Sequence, residues 1–153
     1  MRRHQAGFSL IELLIVVTII GIIASIAIPN ILASRRAANE GSAMNSLRTI
    51  SSCEATYTHT FGNGTYADLA TLGSRVMTDS VLSAGDKSGY HFEATPEPGQ
   101  YFASAFPLAT SGVGKSGTRR FAITEDGVIR SDANLSGAPA DHATVLTMPA
   151  MGN

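Results

Sequence analysis

From Phe8 to Ile28 the chain reads FSLIELLIVVTIIGIIASIAI, 21 residues in which Glu12 is the only charge. As a helix rising about 1.5 Å per residue, this run is about 31 Å long, the thickness of a hydrocarbon core of about 30 Å. A core helix of a soluble domain keeps a polar stripe, whereas this segment is apolar on every face beyond Glu12. A secretory signal is the nearer competitor, with Met1-Arg2-Arg3-His4 as its basic start and Ala24-Ser25-Ile26-Ala27 as a small-residue cleavage site. Its apolar region, however, is usually only about 7 to 15 residues. Glu12 admits two readings. In the first helical turns it complements the helix dipole, worth about 0.3 to 1 kcal/mol. Inside a membrane helix an ionisable group costs up to about 2.5 to 3.5 kcal/mol at mid-bilayer, less near an end, and calls for a partner. Gly21 weakens a helix by about 1 kcal/mol and Pro29 by roughly 3 kcal/mol, so a bend or a melted stretch is expected between them.

The remainder suits one small domain. The chain has 153 residues, 44% hydrophobic and 15% charged, with a net charge of −1. Its eleven Lys and Arg form no long basic stripe, so direct nucleic-acid binding is not expected. Cys53 is the only cysteine, which excludes an intramolecular disulfide and a cysteine-based zinc site.

Residues 30–61 stay helical in character but become amphipathic. Met44, Leu47, Ile50 and Tyr57 mark the buried stripe, with Arg48, Ser52, Glu54 and Thr58 between them. GNGTY at Gly62 to Tyr66 ends the helix. Residues 62–89 read as a connecting region of short helical turns with glycine stops. Alternation then takes over at Tyr90, Phe92 and Ala94, and QYFASAF, RRFAIT and GVIRS supply three further strands. Their short connections favour an antiparallel meander over residues 90–131. Residues 132–153 read as a surface loop or mobile tail. The expected fold class is α+β: a long N-terminal helix packed by its C-terminal half on an antiparallel sheet of about four strands.

No nucleophile, base and orienting group can be nominated, so the chain reads as no enzyme, with no cofactor and no metal site. His59, His91 and His142 are isolated and read as surface residues. GVGKSG at Gly112 to Gly117 lacks the spacing of a phosphate loop and joins two strands. Asp126, Asp132 and Asn134 carry calcium-type oxygens, but turn chemistry accounts for them.

GFSLIE, a glycine, then Phe8, then a carboxylate four residues on, ahead of a long apolar helix, resembles the prepilin signal of type IV pilins and of the pseudopilins of type II secretion. The resemblance implies that a membrane prepilin peptidase cuts after Gly7, removing the leader 1–7, and methylates Phe8. It implies that residues 8–29 serve first as a membrane anchor and then as a filament-core helix. It also implies that Glu12 neutralises the amine of Phe8 on a neighbouring subunit, and that the segment from Gly21 to Pro29 can lose helicity on assembly. The partners so implied are the chain itself, the lipid bilayer before assembly, the peptidase, and an inner-membrane platform with a cytoplasmic ATPase. The location is the bacterial inner membrane and then a cell-surface or periplasmic filament. Unlike many relatives, the chain lacks a cysteine pair near its C-terminus and a clear aspartate-rich calcium loop. The main reading is a structural pilus-like subunit, with a major pseudopilin as alternative. Two other classes are a monomeric membrane-anchored binding module, which needs neither Glu12 nor a glycine before Phe8, and an electron conduit of stacked aromatics. For the conduit, Phe8, Tyr57 and Phe61 are read as too far apart to stack within one subunit.

Processing is directly testable. Purified protein should begin at methylated Phe8 by intact mass, and Gly7→Arg should leave the precursor uncut; a native N-terminus at Met1 or after Ala24 overturns this.

Overall fold

The computed structural model describes residues 8–151 and contains one long helix, three short ones and a single sheet. Helix α1 spans Leu10–Thr60, passing through Gly21 and Pro29 without interruption of its helical assignment. The chain divides into two compact units, residues 1–34 and 35–153, and α1 contributes to both.

Within the second unit, the head, α1 buries Glu40, Ala43, Leu47, Ile50 and Glu54, with Tyr57 partly buried against the same core. Their spacing alternates three and four residues, the repeat that keeps one seam of a helix against its support. The observed seam therefore lies slightly off the stripe expected through Met44, which is only partly buried. The correction concerns Glu54, expected among the solvent-facing residues yet completely buried.

The sheet runs β1 (Asp86–Lys87), β2 (Tyr90–Glu97), β3 (Gln100–Pro107), β4 (Arg120–Thr124) and β5 (Arg130–Asp132), with every neighbour antiparallel and in chain order. The meander is as expected, with one strand more. β1 was hidden in the connecting region because its two residues are too few to show alternation. Its turn is Ser88 and Gly89, at φ 50° and 77°, the paired positive values that a two-residue hairpin of the primed type requires.

One face of the sheet packs on the α1 seam through Tyr90, Phe92, Ala103, Ala105, Phe121 and Ile123. Leu69 and Leu72 of α2 (Leu69–Arg75) and Leu82 of α3 (Ser80–Ser83) complete that core. The other face is covered too. Helix α4 (His142–Thr147) supplies Val145, and Met148 follows it, against Phe102 and Ala122. The C-terminal segment is thus no plain surface loop: Asp141 caps α4 by accepting from the Thr144 N–H at 2.7 Å, and Arg130 bridges to Ala150. Covering both faces explains why Tyr101 to Ala105 are buried in succession.

The segment after β4 is held by ion pairs. Arg120, 6% exposed, grips Asp132 through Nε at 2.7 Å and Nη2 at 2.8 Å, and Nη1 donates to the Gly137 carbonyl at 3.1 Å. A bidentate, partly buried pair of this kind is both stronger and more directional than a surface ion pair. Asp126 accepts from Arg130 at 2.6 Å, which together with the Val128 N–H and Thr124 hydroxyl lowers its pKa to about 2 despite partial burial.

The two seam carboxylates are treated differently. Burial works to raise the pKa of Glu40, but the Thr118 hydroxyl and N–H, at 2.6 and 2.8 Å, and the Arg119 guanidinium at 3.0 Å leave it lowered. Glu54 has one neutral donor, the Ala67 N–H at 3.1 Å to Oε2, and its Oε1 has no partner. Desolvation, aided by the charge of Asp68 and opposed by the Ala67 bond, raises its pKa to about 7.

Two outcomes follow. Residues 29–153 should form a soluble monomer whose circular dichroism shows helix and sheet; an unfolded, non-aggregated fragment contradicts a self-sufficient head. In that fragment the folded state holds the Glu54 proton more tightly than the unfolded chain does. Stability should therefore be full below about pH 4.5 as far as Glu54 is concerned, and fall as pH rises toward about 7. Glu54→Gln should flatten the decline in melting temperature between pH 5 and 8 and add roughly 1 to 3 kcal/mol at pH 8. Equal slopes for the two proteins count against a buried, proton-dependent Glu54.

Candidate assembly surface

Among the described residues, the first unit buries none of its side chains. Phe8 and Leu10 are 77% and 80% exposed, and Ile11, Leu14, Val17, Ile22 and Ile26 are exposed in turn, so the apolar surface runs around the whole helix. Among the described residues, α1 is the one helix long and apolar enough to cross a membrane. Its few polar side chains are turned back onto the backbone. Thr18 donates to the Leu14 carbonyl at 2.7 Å, Ser25 to that of Ile22 at 2.7 Å, and Asn30 to that of Ile26 at 3.1 Å. The segment thereby offers few unsatisfied donors to an apolar medium, where each costs several kcal/mol.

Glu12 stands in the first turn. Its Oε2 accepts from the Ser9 N–H at 2.9 Å, so Ser9 and Glu12 form one half of a capping box, Ser-x-x-Glu. This local bond orients the carboxylate toward the helix start, where Phe8 immediately precedes Ser9. Among the described residues, Glu12 accepts from this neutral donor and has no counter-charge. Gly7, the expected residue before the cut, lies outside the described residues.

Gly21 and Pro29 both sit inside α1. A Cβ added at Gly21 would meet nothing within 4 Å, so no contact inside the chain requires a glycine there. Pro29 lacks the N–H that would reach the Ser25 carbonyl, removing one rung of the ladder. Both positions are thus locally weak, and neither is explained by packing within one subunit.

Other residues singled out in the sequence resolve as follows. Asp126 and Asp132 are engaged by Arg130 and Arg120. Gly112 to Gly117 lies between β3 and β4, with no helix after it. His142 is no surface residue: it is 6% exposed, with Nε2 2.9 and 3.0 Å from the two Glu125 oxygens, and His91 pairs with Asp86. Tyr57 and Phe61 do meet, with ring centroids 6.2 Å apart, contrary to the expectation that they could not stack; no ring links them to Phe8 at the far end of α1. The buried carboxylates Glu40 and Glu54 were missed. The signal was present, because both fall in phase with Ala43, Leu47 and Ile50.

Comparison with known proteins bears on this surface directly. Residues 2–28 match the family described as the prokaryotic N-terminal methylation motif. The chain is 36% identical over 117 residues to the type IV wide pilus major component PilA4 of Thermus thermophilus, an alignment covering 65% of this chain and 88% of that protein. It is also 35% identical over 46 residues to the type II secretion system core protein G of Aeromonas hydrophila, covering 30% of this chain and 32% of that protein. A similar short match, 34% over 47 residues, links it to the corresponding protein of Dickeya chrysanthemi, of which it spans 31%. No solved structure gives a significant match.

Proposed function

We infer that this chain, which belongs to the type IV pilin family, is the structural subunit of a pilus-like filament. The observation that carries this is the apolar surface surrounding residues 8–34, broken by one carboxylate a single turn from the start. Such a helix is stable in lipid or in a bundle of like helices, and the second needs a means of fixing register. Apolar helices slide freely along one another; a charge pair at one level does not.

Cleavage between Gly7 and Phe8 by a prepilin peptidase creates an amine at Phe8, which Glu12 of a neighbour neutralises. The competing bond to Ser9 is worth about 1 kcal/mol, less than the several kcal/mol of leaving an amine unpaired in an apolar bundle, so the intermolecular pair prevails. Gly21 and Pro29 weaken the helix where subunits leave the bilayer and pack. Extraction needs work, which an inner-membrane platform with a cytoplasmic ATPase supplies. The subunit passes from the inner membrane to a filament at the cell surface, in a structural rather than catalytic role.

A major pseudopilin of type II secretion is the second reading, favoured by the short matches to core protein G. The pilus reading has the wider support, since an alignment of 117 residues must extend well beyond α1 into the sheet.

Glu12→Gln isolates the charge, because glutamine can still accept from the Ser9 N–H. Filaments should disappear or fall sharply in number by electron microscopy, while immunoblotting still finds cleaved subunit in the membrane, because removing a charge eases insertion. Normal filament numbers refute the pairing.

A further inference from the structure

Beside the α1 seam, wholly within the head, lies a cavity of about 140 Å³ lined by Ser51, Thr58, His59, Tyr66, Tyr101 and Glu125. Its walls combine a carboxylate with aromatic faces. The Tyr66 and Tyr101 rings are tilted together at 4.8 Å, and Glu125 is fixed by His142. Tyr101 is 2% exposed, with Ser51 beside its hydroxyl. An anion and two tyrosine rings together suit an ammonium group on an apolar stem. The volume is well below the roughly 300 Å³ at which cofactor and drug-sized pockets begin, and fits a single side chain.

The chain carries such a group. Most cations of the head are already engaged: Lys87 with Asp79, Arg119 with Glu40, Arg120 with Asp132, Arg130 with Asp126, and Arg75 over the Phe61 ring. Lys115 forms no ion pair among the described residues. It sits in the loop between β3 and β4, close to Val113, which is 73% exposed and adds an apolar contact. The loop base is pinned to α1, since Asn39 donates to the Ser116 carbonyl at 2.9 Å and Glu40 accepts from Thr118. Arg35, Arg36 and Arg48 are also without ion pairs among the described residues, but they lie on α1 itself and have no comparable loop to carry them into a neighbour.

Loop and cavity occupy different levels of the head. Glu40, at the loop base, and Ala55, at the cavity, are fifteen residues apart on one helix, about 22 Å along its axis. One molecule cannot bring the two together, whereas a parallel copy shifted along the helix can. A contact between two different patches on identical subunits does not close on itself, and so propagates as a polymer. We propose that the cavity at Tyr66, Tyr101 and Glu125 receives Lys115 of a second copy of this chain, giving the heads a head-to-tail contact separate from the helix bundle. The inference rests on the filament reading and adds to it a specific partner surface.

Cysteine cross-linking of intact filaments tests it. In a Cys53→Ser background, Lys115→Cys combined with Ala55→Cys, or separately with His59→Cys, should yield a ladder of oxidised multimers that reductant collapses. Each single-cysteine chain should stop at dimer or below. In parallel, Lys115→Glu should cut recovered filament about fivefold, the scale of one ion pair, whereas Lys115→Arg, which keeps the charge, should retain much of it. Normal filaments with no ladder from either pair overturn the head contact while leaving the filament reading intact. A ladder obtained instead with Arg35→Cys in place of Lys115→Cys, or filament recovery unchanged by Lys115→Glu, also overturns it. If the unmodified chain forms no filaments, the filament reading fails and the contact fails with it.

Discussion

Taking a carboxylate out of water costs several kcal/mol unless hydrogen bonds or an opposite charge replace the lost hydration, and α1 does this at two points within the head, Glu40 and Glu54. Glu40 is the fully compensated case, with three donors, one of them a guanidinium, and a lowered pKa. Glu54 is half compensated, holding one neutral donor, and shifts toward the protonated form instead. Glu12 has one neutral donor in the isolated chain and its surroundings are apolar. In the proposed filament a neighbouring amine relieves the remaining deficit, so the electrostatic rule that shapes the head would also act between subunits.

That rule operates on a helix that must satisfy two media. Residues 10–34 are apolar on all sides and tie their hydroxyls back to the backbone, whereas residues 35–60 present a seam only one side wide. Pro29 and Gly21 fall within the first part, where no packing inside the chain reinforces the backbone. Local weakness and lack of tertiary support therefore coincide, and conformational change is cheapest there.

The head has no disulfide to close its C-terminal region, and ion pairs buried against the sheet take that part. Arg120 ties β4 to β5 and to the Gly137 carbonyl, while His142 ties α4 to Glu125 at the end of β4. Those links hold α4 over the back of the sheet, and the same Glu125 forms one wall of the Tyr101 cavity. The tail is therefore coupled to the surface proposed for head contact.

How much was legible followed the range of the interactions. The membrane-length helix, the exceptional carboxylate, the helix breakers and the meander could all be read from local pattern, because period, turn residues and charge placement act over a few positions. The extra strand β1 escaped because two residues carry no period. α4 escaped because its burial depends on a sheet face some forty residues earlier in the chain. The burial of Glu54 followed from its place on the α1 seam between Ile50 and Tyr57, but a charged residue reads as solvent-facing until the tertiary fold covers it. Sequence alone determined that an apolar helix would need a partner, since a domain of this size could not cover all its faces. Only the tertiary structure decided which of the head's charges were already paired, because pairing joins residues up to 79 positions apart and is set by how the chain folds back on itself.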